Sequence, residues 1–177
     1  MRKFALLICA IFLMSGCANN KQPTKPINLL PMKIESKVFL NNQFLPTKYT
    51  CDGTSVNPSL KIADVPAEAK SLVLIVDDPD APSGDFVHWL VWNIDPKITD
   101  IEEGSVPAGG IQGTGSSGTA GYVPPCPPSG VHHYTFKLYA LDTKLGLPNT
   151  TTKTELLTAM QGRVINETAM IGLYSRK

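Results

Sequence analysis

The chain has 177 residues, enough for one domain with a sizeable core after an N-terminal export segment and too few for two comfortable ones. Its 16 Lys+Arg against 15 Asp+Glu give a formal charge of +1, with no block of like charge, which excludes a nucleic-acid binder held by bulk electrostatics. An apolar content of 42% with 15 Pro and 14 Gly excludes a disordered chain and a helical bundle alike, and points to β structure joined by many loops.

Residues 1–16 have the anatomy of a signal peptide: basic Arg2 and Lys3, an apolar stretch from Phe4 to Met14, then the small pair Ser15 and Gly16. The apolar run is about half of the roughly 20 residues that span a bilayer, so cleavage is expected over permanent anchoring. Leu13 to Cys17 has the form of a bacterial lipobox, in which Cys17 is acylated and becomes the mature N-terminus. Residues 17–32 then serve as a flexible linker and 33–177 as the folded domain, giving an exported chain held at the cell envelope by lipid. Cys9 falls within the signal, and with Cys17 lipidated Cys51 and Cys126 form an even pair in an oxidising compartment. One reading bridges them; the other leaves both as small buried thiols. Neither has a Cys or His at zinc-ligand spacing, so no metal is expected.

Past the linker, Lys33 to Phe39 alternates as a half-exposed strand does, with Ile34, Ser36 and Val38 against Lys33, Glu35 and Lys37. Ser71 to Val76 is a continuous apolar run, suited to a central strand covered on both faces. The acidic turn Asp77 to Pro82 follows, its Asp side chains able to bond neighbouring amides. Phe86 to Ile94 and His132 to Leu141, rich in aromatic and β-branched residues and bounded by Gly/Pro clusters, predict two more strands. Between them, Ile101 to Gly121 is a Gly/Ser/Thr-rich loop without periodicity, and Tyr122 to Gly130 is stiffened by four prolines. Thr152 to Gln161 carries a capping residue, helix formers and a following Gly, predicting a short helix. A second helical turn is expected around Asn166 to Met170, then a terminal strand through Tyr174. The sum is a mainly β, antiparallel sandwich.

Side-chain alternation organises the candidate chemistry. His132, Tyr134, Phe136, Leu138 and Ala140 fall on one face of their strand, and His88, Leu90, Trp92 and Ile94 on one face of theirs. Polar rings at the ends of core-facing rows suit a core that opens into a small pocket, where an aspartate from the turn would favour imidazolium and attract an anion. Taken singly, each His or Tyr is explained as well by a backbone hydrogen bond, each of Asp77, Asp78 and Asp80 by turn formation, and Trp89 and Trp92 by packing. A serine hydrolase lacks its G-x-S-x-G elbow, the looser Gly115 to Gly118 having the wrong spacing, and a glycosidase lacks placed carboxylates. A His-dependent or metal-assisted phosphoester hydrolase using His88, His132 and Asp78 remains the enzymatic alternative.

Three ordered blocks, Asp78 to Ser83, His88 to Asn93 and Pro127 to Tyr134, closely resemble the signature of the phosphatidylethanolamine-binding protein (PEBP) family, and of its bacterial Raf kinase inhibitor-like branch. Tyr49 to Gly53, Leu138 to Asp142 and Gly172 to Arg176 are similar to that branch too, so the likeness runs from Ile34 to Arg176. It implies a Greek-key β-sandwich with one or two short C-terminal helices. It implies a pocket for phosphate or the phosphatidylethanolamine headgroup at Asp78, His88, Pro128, His132 and Tyr134, with Asp80 a turn-stabilising neighbour. His133 stands where relatives commonly carry Arg, and Val123 and Pro124 replace a Gly-rich pair. The family resemblance implies binding or inhibition, with a kinase or protease as partner, and neither catalysis nor a cofactor.

Overall fold

The computed structural model describes residues 31–176, so the signal segment, Cys17 and nearly all of the linker lie outside the described residues. Nine strands and one α-helix follow in chain order: β1 (Lys33–Ser36), β2 (Gln43–Phe44), β3 (Leu60–Ala63), β4 (Ser71–Asp78), β5 (Phe86–Ile94), β6 (Asp100–Ile101), β7 (Ile111–Gln112), β8 (His132–Leu141), α1 (Lys153–Met160) and β9 (Val164–Tyr174). They form a three-stranded sheet in the order β1-β3-β6 and a six-stranded sheet in the order β2-β9-β8-β4-β5-β7. Neighbours are antiparallel except β2 and β9, which run parallel. The mainly β sandwich expected from the sequence is the architecture observed.

The unbroken apolar run of β4 has a direct cause. Leu72, Leu74 and Val76 project into the core between the two sheets, against Ile34, Leu60, Ile62, Phe136 and Leu138. Val73 and Ile75 project the other way, into a second core closed by Leu90, Trp92, Leu145 and the helical residues Leu156 and Met160. Both faces are dry, so neither permits polar alternation. The helix that covers the second face starts at a capping box: Thr152 accepts from the Glu155 N–H, and Glu155 accepts from the Thr152 N–H at 2.8 Å.

Two expectations need correction. The helical turn at Asn166 to Met170 is part of β9, which pairs with β8 from Val164 opposite Leu141 to Tyr174 opposite His132. A long ladder of inter-strand hydrogen bonds outweighs weak local helix preference. There is accordingly one α-helix among the described residues, followed at its end by Gly162 at φ 68°. The loop from Ile101 to Gly121 contains β7 and begins on β6; edge strands of two residues are too short to show a period.

Candidate functional site

The antiparallel registers bring one end of the large sheet together. Asp78 ends β4 opposite Phe86, which opens β5, and β8 begins alongside at His132, with Thr135 opposite Asp77. Because strand ends leave the core to meet the loops, the chemistry-bearing residues of three strands collect there around a cavity of about 190 Å³. Asp78, His88, Pro128, His132 and Tyr134 all line it, together with Ala81 to Ser83, Phe86, Val123, Pro124, Cys126 and Pro127.

His88 reaches the cavity by a route that simple alternation misses. Val76 pairs with Trp89 but Asp77 pairs with Val87, so two steps of β5 match one step of β4 and His88 is the extra residue of a β-bulge. The bulge places His88 on the same side as Trp89, its ring centre 5.1 Å from Tyr134 in an edge-on arrangement. Leu90 and Trp92, expected on the face of His88, belong to the opposite core. A second irregularity lies between Leu72 and Leu74, where Asn93 takes φ 60° and returns Ile94 to the inter-sheet side.

Each ring is then fixed by a specific contact. His88 Nδ1 lies 2.8 Å from the Val123 carbonyl oxygen, and the Val123 N–H donates back to the His88 carbonyl at 2.8 Å. An oxygen acceptor requires a protonated Nδ1, so in the neutral ring Nε2 carries the lone pair. Burial pushes the His88 imidazole below its ordinary value, contrary to the imidazolium expected from the sequence, although Asp78, Asp77 and Asp85 pull the other way. His132 Nδ1 lies 2.7 Å from Asp78 Oδ2, which leaves Nε2 as its other polar edge, and Asp78 Oδ1 accepts the Asp80 N–H at 2.9 Å. Tyr134 is fully buried and its ring stacks near that of His132, centres 6.5 Å apart. Burial pushes its phenol well above the usual range, with Asp78 and Asp80 adding to the rise.

Two buried polar atoms at this cavity, His88 Nε2 and Tyr134 Oη, have no hydrogen-bond partner among the described residues. Leaving such groups unsatisfied costs about 1–3 kcal/mol each, so the cavity concentrates two unmet hydrogen-bonding groups in one place. Asp80 stays outside the lining and accepts both the His133 N–H at 2.8 Å and His133 Nδ1–H at 2.7 Å, contacts that hold its carboxyl below the usual carboxylate range. Trp89 donates to Gln112 at 2.7 Å and packs in the inter-sheet core, away from the cavity.

The proline-rich wall is tied down from behind. Cys51 and Cys126 are bridged, the Cys51 N–H donates to the Pro125 carbonyl at 3.0 Å, and the Tyr122 hydroxyl donates to the Tyr49 carbonyl at 3.0 Å. The Val123 carbonyl that orients His88 has no signature in the sequence, because a backbone oxygen carries no residue-type signal. Phe86, 4.8 Å from His88 between ring centres, was legible only as a strand residue. Among the described residues no cluster of three His, Cys, Asp or Glu side chains is arranged to hold a metal ion.

Comparison with known proteins agrees with the fold. A family model described as phosphatidylethanolamine-binding protein matches residues 35–175. The chain is similar to a UPF0098 protein of Methanothermobacter thermautotrophicus, 49% identical over 150 residues and covering 82% of this chain and 99% of the relative. A UPF0098 protein of Pyrococcus horikoshii is 52% identical over 152 residues, covering 80% and 76% respectively. Among solved structures, a PEBP homolog from Chlamydia trachomatis superposes with a TM-score of 0.80 at 41% identity, covering 83% of this chain and 99% of that one. YbcL of E. coli, described as a member of the mammalian PEBP family, gives a TM-score of 0.78 at 29% identity, covering 84% and 100%.

Proposed function

The chain belongs to the phosphatidylethanolamine-binding protein family, and from that premise we propose that it holds a phosphate-bearing or other small anionic ligand in the cavity formed by Asp78, His88, Pro128, His132 and Tyr134. One observation carries the reading: a buried imidazole nitrogen and a buried phenol, both without partners among the described residues, belong to one small cavity. The Tyr134 hydroxyl donates to a ligand oxygen, and His132, oriented by Asp78 at 2.7 Å, supplies a second polar edge. Pro127 and Pro128 shape the wall without offering N–H groups that compete for the ligand. Binding, and through it the regulation of a kinase or protease partner, is the output.

The ligand is met outside the cytoplasm in this reading, the chain being exported by its signal segment and held at the membrane by acylated Cys17. The 2.7 Å Asp78–His132 contact also favours a second reading, in which His132 acts as general base on a phosphoester. His132→Ala separates the readings when titrated with phosphate and phosphoethanolamine by calorimetry and assayed on a phosphoester panel. Loss of binding with little change in melting temperature supports the binding site, unaltered binding rejects it, and wild-type turnover that disappears in the variant establishes the hydrolase.

A further inference from the structure

The outer edge of the large sheet is only partly closed. β2 covers β9 at Gly172 and Leu173, and before them the outer side of β9 has no strand partner among the described residues. The hydrogen-bonding phase of that side is fixed by the residues just after it. The Ile171 N–H donates to Asn41 Oδ1 and the Ile171 carbonyl accepts from the Asn42 N–H, both at 2.8 Å, and the Leu173 carbonyl accepts from the Leu45 N–H at 2.8 Å. Ile171 and Leu173 thus turn their backbone groups outward, and the period of two gives the same direction to Ala169 and Glu167. The pairing with β8 slips between Asn166 and Val164, which ends the regular stretch there. The usual protections of such an edge are missing: residues 164–171 hold no proline and no lysine, and Glu167 is their one charge. From this edge we infer that β9 is a docking strand for a second copy of this chain, the two strands running antiparallel about a two-fold axis at Thr168.

The register follows from which groups are free. Glu167 and Ala169 are outward residues without a strand partner, and a two-fold at Thr168 sets each opposite the other, so that both pairs exchange their N–H···O bonds. An axis at Glu167 would set two carboxylates face to face, and an axis at Ala169 would need the Ile171 groups that Asn41 and Asn42 already hold. On the outer face the small Ala169 pairs with Lys137, so Glu167 of the second copy lies beside a lysine whose side chain is 34% exposed. The hollow lined by Lys137, Tyr139, Glu167 and Ala169 gives that carboxylate room. At the end of the paired stretch Ile165 of the second copy falls opposite Ile171, beside the turn that carries Leu40. These two side chains are 37% and 75% exposed in the single chain and cover one another in the pair. Leu40 is held in place for this, since Phe39 before it is buried and Asn41 and Asn42 after it are bonded to β9. Thr168 pairs with Leu138, well along β8 from His132, so the contact stands apart from the cavity and from any ligand bound there.

Cysteine cross-linking on the full chain tests both the partner and the register. The two Thr168 residues form a non-hydrogen-bonded pair with Cα atoms about 4.5 Å apart, within disulfide reach, whereas the two Glu167 Cα atoms are about 8 Å apart and outside it. Under a mild thiol oxidant, and over the wild-type background, Thr168→Cys is expected to give at least about fivefold more covalent dimer on non-reducing gels than Glu167→Cys. Adding Ala169→Pro removes one N–H that faces away from β8, so the chain keeps its fold and the cross-link should disappear. Adding Glu167→Lys instead changes an exposed side chain, brings a second cation beside Lys137 and should lower the cross-link several-fold. Far-UV circular dichroism identifies a variant that has unfolded, and should Ala169→Pro do so, Glu167→Lys decides in its place. Equal yields from Thr168→Cys and Glu167→Cys, the result of random collision, overturn the inference, and so does a cross-link that survives either added change in a folded chain. Absence of any cross-link above the wild-type background, the outcome if another protein or the chain's own N-terminal residues cover the edge, overturns it as well.

Discussion

Asp77 and Asp78 are consecutive on β4 and almost equally hidden, 1% and 3% exposed, yet they serve opposite faces of the large sheet. Asp77 points to the helix-covered side, where its Oδ2 accepts from Lys137 at 2.7 Å and from Lys153 at 2.5 Å, and Lys153 reaches on to Asp85. Asp78 points to the cavity and meets an imidazole. Two permanent cations around one carboxylate make a neutralised clamp that joins β4, β8 and the start of α1. Asp78 instead meets one imidazole at 2.7 Å on the wall of the cavity. Pleat alternation alone thus assigns one aspartate to the clamp and the next to the cavity.

The largest expected effect lies on the clamp side. Asp77→Ala strands Lys137 and leaves Lys153 with Asp85 alone, at a cost of about 3 kcal/mol, the low end for breaking a buried pair because both ammonium groups retain some solvent. For a chain of this size that is a fall of roughly 6–12 °C in melting temperature. Phosphate affinity should stay within about twofold; a large loss of affinity there would erase the distinction between the faces. Asp78→Asn is the mirror experiment. It keeps the shape and removes the charge behind His132, and phosphate affinity is expected to fall about tenfold in titration calorimetry with a smaller melting shift than Asp77→Ala. Equal melting losses in the two variants would contradict the division of labour.

The smallest effect concerns pH. Burial holds His88 below its ordinary 6.5, so the folded chain takes a proton there less readily than the unfolded one. That contribution is complete above the unfolded value and is lost as pH falls from about 6.5 toward the lower folded value, with a limiting slope of about 1.4 kcal/mol per pH unit. In ligand-free protein, melting temperatures between pH 7.5 and 5.5 should therefore decline less steeply in His88→Gln than in the wild type. Parallel curves would mean that the ring is as easily protonated folded as unfolded.

The same alternation explains what the sequence reveals and where it misleads. β4, β5, β8 and α1 are long enough for burial on one or two faces to leave a clear pattern, and their bounds follow from apolar runs ended by Asp, Pro or Gly. The row His132, Tyr134, Phe136 obeys the period and faces inward as expected. The row of His88 does not, because a one-residue bulge moves Leu90 and Trp92 to the other face before the second irregularity returns Ile94, and that bulge has no compositional mark. Asn93 was the readable clue to the second bulge, since Asn tolerates the left-handed conformation it adopts at φ 60°. The two-residue strands and the first half of β9 were hidden for another reason: their conformation is imposed by pairing partners far away in the chain.

Cys126 is an exposed residue of the cavity lining and its partner Cys51 lies 75 residues earlier, so the covalent link that backs the proline wall joins two distant segments and forms only where thiols are oxidised. Recombinant protein matured in a reducing cytosol would keep only the 3.0 Å amide and phenol contacts behind that wall. Preparations made by cytosolic and by secretory routes are therefore two different reagents, and their ligand titrations should not be pooled.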